Sequence, residues 1–412
     1  MRRAAGEAYV RVAVSAAVDN SKDTTLELPH RFGRYLLFDR VGKGGMAELF
    51  LARQATALGG GKLFVVKLIL PLYAERPEFA EMLVAEAKLA ATLSHANVVT
   101  VVDLGRESER LYIAMEYVEG FDLAALLKRC SKDKVALPPE YALHVASELL
   151  AALDYASKKK VIHRDVSPSN VLVSFDGEVK LCDFGIARAN DALLASDPSE
   201  VIKGKAGYMS PEQARGDPLD GRADVFAAGI ILWELLAGKK LYQKGGGDLI
   251  EQARAANIPD LAPRGLPNED ELFAIVKRAL APNRDDRFAT AGETREALLD
   301  YTTKAKLTAN PIRLGDWLVE HFGADVVAQR RAREATAKSL DPSPLPGRAM
   351  RTPAPPHISY KPDDELVPES LSPIDISPPS KQPVAPATQS PPWMWIGVGA
   401  VVVGVVVWLL SR

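Results

Sequence analysis

The chain has 412 residues, enough for two or three domains, and its 47% hydrophobic and 25% charged content is that of a globular protein. A formal net charge of -2 leaves out the basic footprint of a nucleic-acid binder, so no nucleic acid partner is expected. The two cysteines, Cys130 and Cys182, do not make a disulfide framework and point to a reducing compartment.

Residues 1–34 read as a flexible segment: Arg2 and Arg3 precede a short apolar stretch that Arg11 interrupts, which argues against a signal peptide. Two apolar runs, Tyr35-Leu36-Leu37-Phe38 and Leu49-Phe50-Leu51-Ala52, then flank Val41-Gly42-Lys43-Gly44-Gly45-Met46-Ala47-Glu48. They predict a hairpin whose glycines let backbone N–H groups approach phosphate oxygens closely. A plain tight turn fits the same residues, and only the motifs downstream of the loop tell the two apart.

Lys67 lies in Phe64-Val65-Val66-Lys67-Leu68-Ile69, a strand in which a lysine between apolar neighbours needs an anionic partner unless it faces solvent at a sheet edge. Glu86 is the expected partner. Phe79, Met82, Leu83, Ala90 and Leu93 recur at helical spacing over about Pro77 to Leu93, Glu86 falls in their register, and a carboxylate on that buried face needs a cation. Leu111 to Gly120 reads as a strand ending in a turn. Pro139 to Ser157 is apolar at helical spacing, with Lys158-Lys159-Lys160 at the negative end of the helix dipole.

The ordered pair His163-Arg164-Asp165-Val166-Ser167-Pro168-Ser169-Asn170 and Asp183-Phe184-Gly185 carries the most information. It supplies a candidate catalytic base and two metal-binding groups for moving a phosphoryl group from ATP, chemistry that asks a protein mainly for positioning and charge neutralisation. A phosphate cradle, a lysine and a carboxylate to hold that lysine all lie upstream. Further along, Val225 to Ala237 is apolar almost all round and predicts a helix buried in a large lobe; it is too short, and carries Glu234, to span a membrane.

These motifs, with Ser210-Pro211-Glu212, Asp224 in Arg222-Ala223-Asp224-Val225-Phe226 and Arg287 in Arg284-Asp285-Asp286-Arg287-Phe288, resemble the full ordered set of a bacterial Ser/Thr protein kinase of the eukaryotic-like (Hanks) type, over roughly residues 35–299. The resemblance implies an α+β bilobal protein-kinase fold, with a small β-rich N-lobe and a larger helical C-lobe. It implies ATP and Mg²⁺ as cofactors and protein substrates as partners. Asp165 would accept the substrate hydroxyl proton, and Asn170 and Asp183 would hold Mg²⁺. Val41, Gly42, Lys43, Gly44, Gly45 and Met46 would cradle the phosphates, and Lys67, held by Glu86, would reach them. Met115 matches the gatekeeper residue, with Glu116 and Val118 as backbone contacts to adenine. Glu212 and Arg287 match a buried ion pair of the lower lobe, and Asp224 a carboxylate that fixes the catalytic loop.

The chain departs from the family pattern in three places. Ala47 stands for the third glycine of the loop. Ser167 stands where Ser/Thr kinases usually carry a lysine that stabilises the moving phosphoryl group, and Lys205 stands where a threonine commonly faces that lysine. Lys205 is therefore a candidate source of the charge that Ser167 lacks. The alternative is a membrane-tethered pseudokinase scaffold that binds nucleotide or partners without catalysis. Arg164 would receive a phosphate on the activation segment, for which Ser196 and Ser199 are the candidate acceptors.

Past the lobes, residues 300–340 predict a helical extension: Leu314, Trp317, Leu318 and Phe322 fall at helical spacing, followed by Arg330, Arg331 and Arg333. It would pack on the lower lobe or on a partner. Residues 341–392 are Pro- and Ser-rich and read as a disordered linker. Residues 393–410 carry no charge, and at about 1.5 Å per residue a helix there just spans a bilayer core, with Trp393, Trp395 and Trp408 at its interfaces. The expectation is a single-pass C-terminal membrane anchor with the kinase domain cytoplasmic, where ATP is. Ala400 and Gly404 form a small-xxx-small pair that would support a homodimer.

Overall fold

The computed structural model describes residues 26–44, 47–54, 62–74, 77–107, 110–184, 206–242 and 248–339. The expected linker 341–392 and membrane span 393–410 lie outside these residues, as do Gly45, Met46, Gly185, Ser196, Ser199 and Lys205. Among the described residues no helix is long and apolar enough to cross a membrane.

The runs around the glycine-rich turn form β2 (Tyr35–Lys43) and β3 (Ala47–Gln54), joined on one side by β1 (His30–Phe32) and on the other by β4 (Leu63–Ile69), β6 (Arg110–Glu116) and β5 (Val101–Glu107). The antiparallel order is β1-β2-β3-β4-β6-β5. Register shifts in β2 between Leu37 and Asp39 and between Arg40 and Gly42 add local twist, which curls the sheet. Side chains alternate across a strand, so Phe64, Val66 and Leu68 of β4 enter the core with Leu37 and Phe50, while Lys67 points to the opposite face. A short turn of helix, α1 (Pro71–Ala74), leads to α2 (Pro77–Ala91), which packs against β5.

The second lobe begins with a small sheet, β7 (Gly120–Asp122), β8 (Val171–Ser174) and β9 (Val179–Leu181). Asp122 caps α3 (Leu123–Asp133) by accepting from the Ala125 N–H at 2.8 Å, meeting one of the orphan donors of a helix start. Around the long α4 (Pro139–Lys158) are α5 (Pro211–Arg215), α6 (Gly221–Ala237), α7 (Leu249–Ala255), α8 (Glu269–Ala279) and α9 (Ala291–Lys304). From Ala223 to Leu236 every residue of α6 is buried, which explains why its sequence lacks a polar face; Asp220 caps its start. Trp233 is fully enclosed and satisfies its indole N–H on the Pro259 carbonyl at 3.0 Å.

The last described element, α10 (Pro311–Ser339), lies on this lobe. Leu314, Trp317, Leu318 and Phe322, the residues at helical spacing, are buried in the same core as α4 and α6. Two glycines permit the contact. A Cβ on Gly315 would come within 2.7 Å of the Phe175 carbonyl oxygen, and one on Gly177, whose φ of +77° already disfavours side chains, would lie 1.7 Å from the Pro311 carbonyl oxygen.

Candidate functional site

The catalytic loop is held from beneath by a single buried carboxylate. Asp224, on α6, accepts from the backbone N–H of His163 at 2.7 Å and of Arg164 at 2.9 Å. Burial pushes its carboxyl above the usual range, against the lowering pull of those donors. Arg164 adopts a φ of +64° and Asp183 a φ of +56°, conformations that cost a non-glycine residue energy and that the surrounding bonds must maintain.

Asn170 ties the loop together. Its Nδ2 donates to the Asp165 carbonyl at 2.8 Å and to Asp165 Oδ2 at 3.2 Å, and its own carbonyl accepts from Cys182 N at 2.9 Å. Cys182 precedes Asp183, so one backbone bond links the two expected cation ligands. His163 reinforces the link through Nε2 to the Cys182 carbonyl at 3.0 Å, and its ring lies 4.6 Å from that of buried Phe184. With Nδ2 committed to Asp165, the Asn170 amide keeps its oxygen for a cation.

Lys67 Nζ stands 2.8 Å from Asp183 Oδ1. The expected Lys67–Glu86 contact falls on a side chain outside the described ones; the backbone of Glu86 lies within α2. Lys67 and Asp183 line an open cleft together with Met115, Ala87, Val99 and Phe184. At the glycine-rich loop Gly44 N donates to the Ala47 carbonyl at 2.7 Å, which ties the end of β2 to the start of β3. Val41, Gly42 and Lys43 lie at the end of β2.

The segment expected to meet adenine is braced from behind. Glu116 N donates to the Thr100 carbonyl at 2.9 Å, and the Glu116 side chain accepts from Thr100 N at 2.8 Å and from Lys180 Nζ at 3.2 Å. Among the described residues nothing hydrogen-bonds the backbone of Val118. Lys180 is not among the residues that the motifs single out, although Val179-Lys180-Leu181 shows the same lysine between apolar neighbours that marks Lys67.

Ser167 is buried at 3% exposure and its Oγ lies 3.0 Å from Ser169 Oγ, so no cation reaches the cleft from this position. Glu212 and Arg287 form a bidentate pair at 2.7 and 2.8 Å, with Arg287 also donating to the Ala281, Pro282 and Arg222 carbonyls. Burial acts to raise the Glu212 carboxyl, but Arg287, together with hydrogen bonds from the Glu212 backbone and Ser210, outweighs it and holds the group below its ordinary value.

Among the described residues no cluster of three or more His, Cys, Asp or Glu is arranged to hold a metal. The donor set of Asn170 and Asp183 nevertheless fits Mg²⁺, which takes oxygen ligands, often only one or two from protein, and completes its shell with phosphates and water.

The protein kinase domain family matches residues 35–299, and the chain belongs to it. The tyrosine-protein kinase MasK of Myxococcus xanthus is 35% identical over 311 residues, covering 73% of this chain and 48% of that protein. The serine/threonine-protein kinase PknB of Mycobacterium leprae is 35% identical over 278 residues, covering 66% of this chain and 43% of its own length. The chain thus spans less than half of each of these bacterial relatives. A crystal structure of the Mycobacterium tuberculosis PknI kinase domain is 29% identical, covers 68% of this chain and 100% of the solved chain, and superposes with a TM-score of 0.51. The bilobal fold is that of a protein kinase.

Proposed function

We propose that this chain is a protein serine/threonine kinase that transfers the γ-phosphoryl group of Mg-ATP to protein hydroxyls. The observation that supports the reading is the hydrogen-bonded chain from Asp165 through Asn170 and Cys182 to Asp183 and Lys67, residue types that phosphoryl transfer would use as a base, two oxygen donors for a cation and a phosphate-seeking ammonium. Bound Mg²⁺ would neutralise charge on the phosphates, held by Asn170 and Asp183. Asp165 orients the acceptor hydroxyl and takes its proton, Asn170 fixes the Asp165 carboxylate through Nδ2, and Lys67 exchanges Asp183 for phosphate oxygens. Met115, Glu116 and Val118 receive the adenine.

Lys205 supplies the cation that Ser167 does not, and the protein is anchored in the membrane through residues 393–410 with its kinase domain in the cytoplasm. Ala400 and Gly404 support a homodimer in that anchor. Ser167 is also the observation that favours a second reading, a membrane-tethered scaffold that binds nucleotide without catalysis.

The test is incorporation of labelled phosphate by the purified full chain with Mg-ATP and a generic protein substrate, with acceptors mapped by mass spectrometry. Label on serine or threonine that Asp165→Asn and Asp183→Asn both abolish supports the kinase. Label on tyrosine would move the acceptor class toward that of the Myxococcus relative, and nucleotide binding without label would favour the scaffold. Full activity in Lys205→Ala would refute the role given to that lysine, and release of the chain from membranes by alkaline carbonate would refute the anchor.

A further inference from the structure

The helix α10 does more than cover the lower lobe. Its first half is fixed there: Trp317 packs 5.7 Å from Tyr141, Phe322 meets Phe121 edge-on at 5.9 Å, and the Arg129 guanidinium lies over both phenylalanine rings. A helix rising about 1.5 Å per residue then carries the chain roughly 16 Å from Phe322 to Arg333. There Arg333 Nη1 donates to the Tyr117 hydroxyl at 2.5 Å, its guanidinium lies 5.7 Å from the centre of the Tyr117 ring, and its Nε stands 3.6 Å from Asp39 Oδ2. Tyr117 lies between Glu116 and Val118, in the segment joining the lobes, and Asp39 belongs to β2 of the upper lobe. One side chain on a helix rooted in the lower lobe therefore grips both the connecting segment and the upper sheet.

We propose that Arg333 is a positioning residue for the nucleotide site, holding Tyr117 and Asp39 so that the lobes and the adenine-binding backbone keep one relative arrangement. The proposal rests on the kinase reading above. The Asp39 ion pair is half-exposed and adds little by itself. The charge-assisted bond and ring contact to Tyr117, with Arg333 mostly covered, make the larger part of the grip. Without it the lobes sample more arrangements, and apparent nucleotide affinity falls by the fraction of time the competent one is populated. Once nucleotide is bound it enforces that arrangement itself, so the chemical step is spared.

The experiment uses the full chain and reads both Mg-ADP affinity by calorimetry and the ATP dependence of phosphotransfer. Arg333→Ala is expected to raise the Mg-ADP Kd and the KM for ATP about three- to tenfold, with kcat within about twofold. Arg333→Lys, which keeps the charge but loses the planar fork, should fall between. Tyr117→Phe combined with Arg333→Ala should be little worse than Arg333→Ala alone, because both break one contact. Arg331→Ala, an exposed neighbour on the same helix, serves as the control. Unchanged Kd and KM in Arg333→Ala, or a fall in kcat alone, would overturn the proposal. A wild-type chain that binds Mg-ADP but transfers no phosphate would refute the kinase reading while the calorimetric comparison still decides the role of Arg333.

Discussion

Of the ion pairs that join residues distant in sequence, Arg287–Glu212 and Lys67–Asp183 are built for opposite ends. Arg287 and Glu212 meet through two parallel bonds with side-chain exposures of 0% and 2%, and Arg287 spends its remaining donors on backbone carbonyls. Lys67 and Asp183 meet through a single 2.8 Å contact at exposures of 24% and 41%. A buried fork cannot exchange partners without leaving a desolvated charge, whereas a solvated lysine can trade a carboxylate for a phosphate at small cost. The first pair belongs to the scaffold, and the second is the one that the proposed phosphotransfer would use.

The comparison breaks most visibly in activity. Replacing Asp183 by Asn should lower phosphotransfer by at least about a hundredfold, measured as initial rate at saturating ATP, while thermal unfolding stays nearly unchanged. Arg287→Ala should do the reverse in kind, removing about 3 to 5 kcal/mol of stability in denaturant titration, because Glu212 is left buried and unpaired.

A pH series sharpens the contrast. Glu212 is held below its ordinary pKa in the folded state, so the stability it contributes is fully present above the unfolded value of about 4.3 and is lost as pH falls through the folded one. Thermal midpoints should therefore drop more steeply between about pH 5 and pH 3 in the wild type than in Glu212→Gln. The smallest effect is expected at the other pair: Lys67→Met should change folding stability by less than about 1 kcal/mol, and a larger loss would mean that Lys67 also serves the scaffold.

The sequence made the chemistry far more legible than the bracing. Motifs such as His163 to Asn170 are read locally because the loop must present several groups within a few residues. The periodicity of Leu314, Trp317, Leu318 and Phe322 announces an apolar face but not what covers it, and the choice between lobe and partner needed the contacts with Phe121 and Tyr141. Lys180 could have been found, since it repeats the signal of Lys67; its partner Glu116 could not, because the two lie in strands of different sheets that only the tertiary structure brings together. The Arg333–Tyr117 contact joins residues 216 apart with no pattern to mark it.

The close seating of α10 also bears on where the protein can be cut. The family's boundary falls at residue 299, yet Phe121, Phe175 and Tyr141 are roofed by side chains and backbone that come only after it. A fragment ended there would bare a patch of aromatic surface and invite aggregation, so the smallest soluble piece of this chain reaches at least past Phe322.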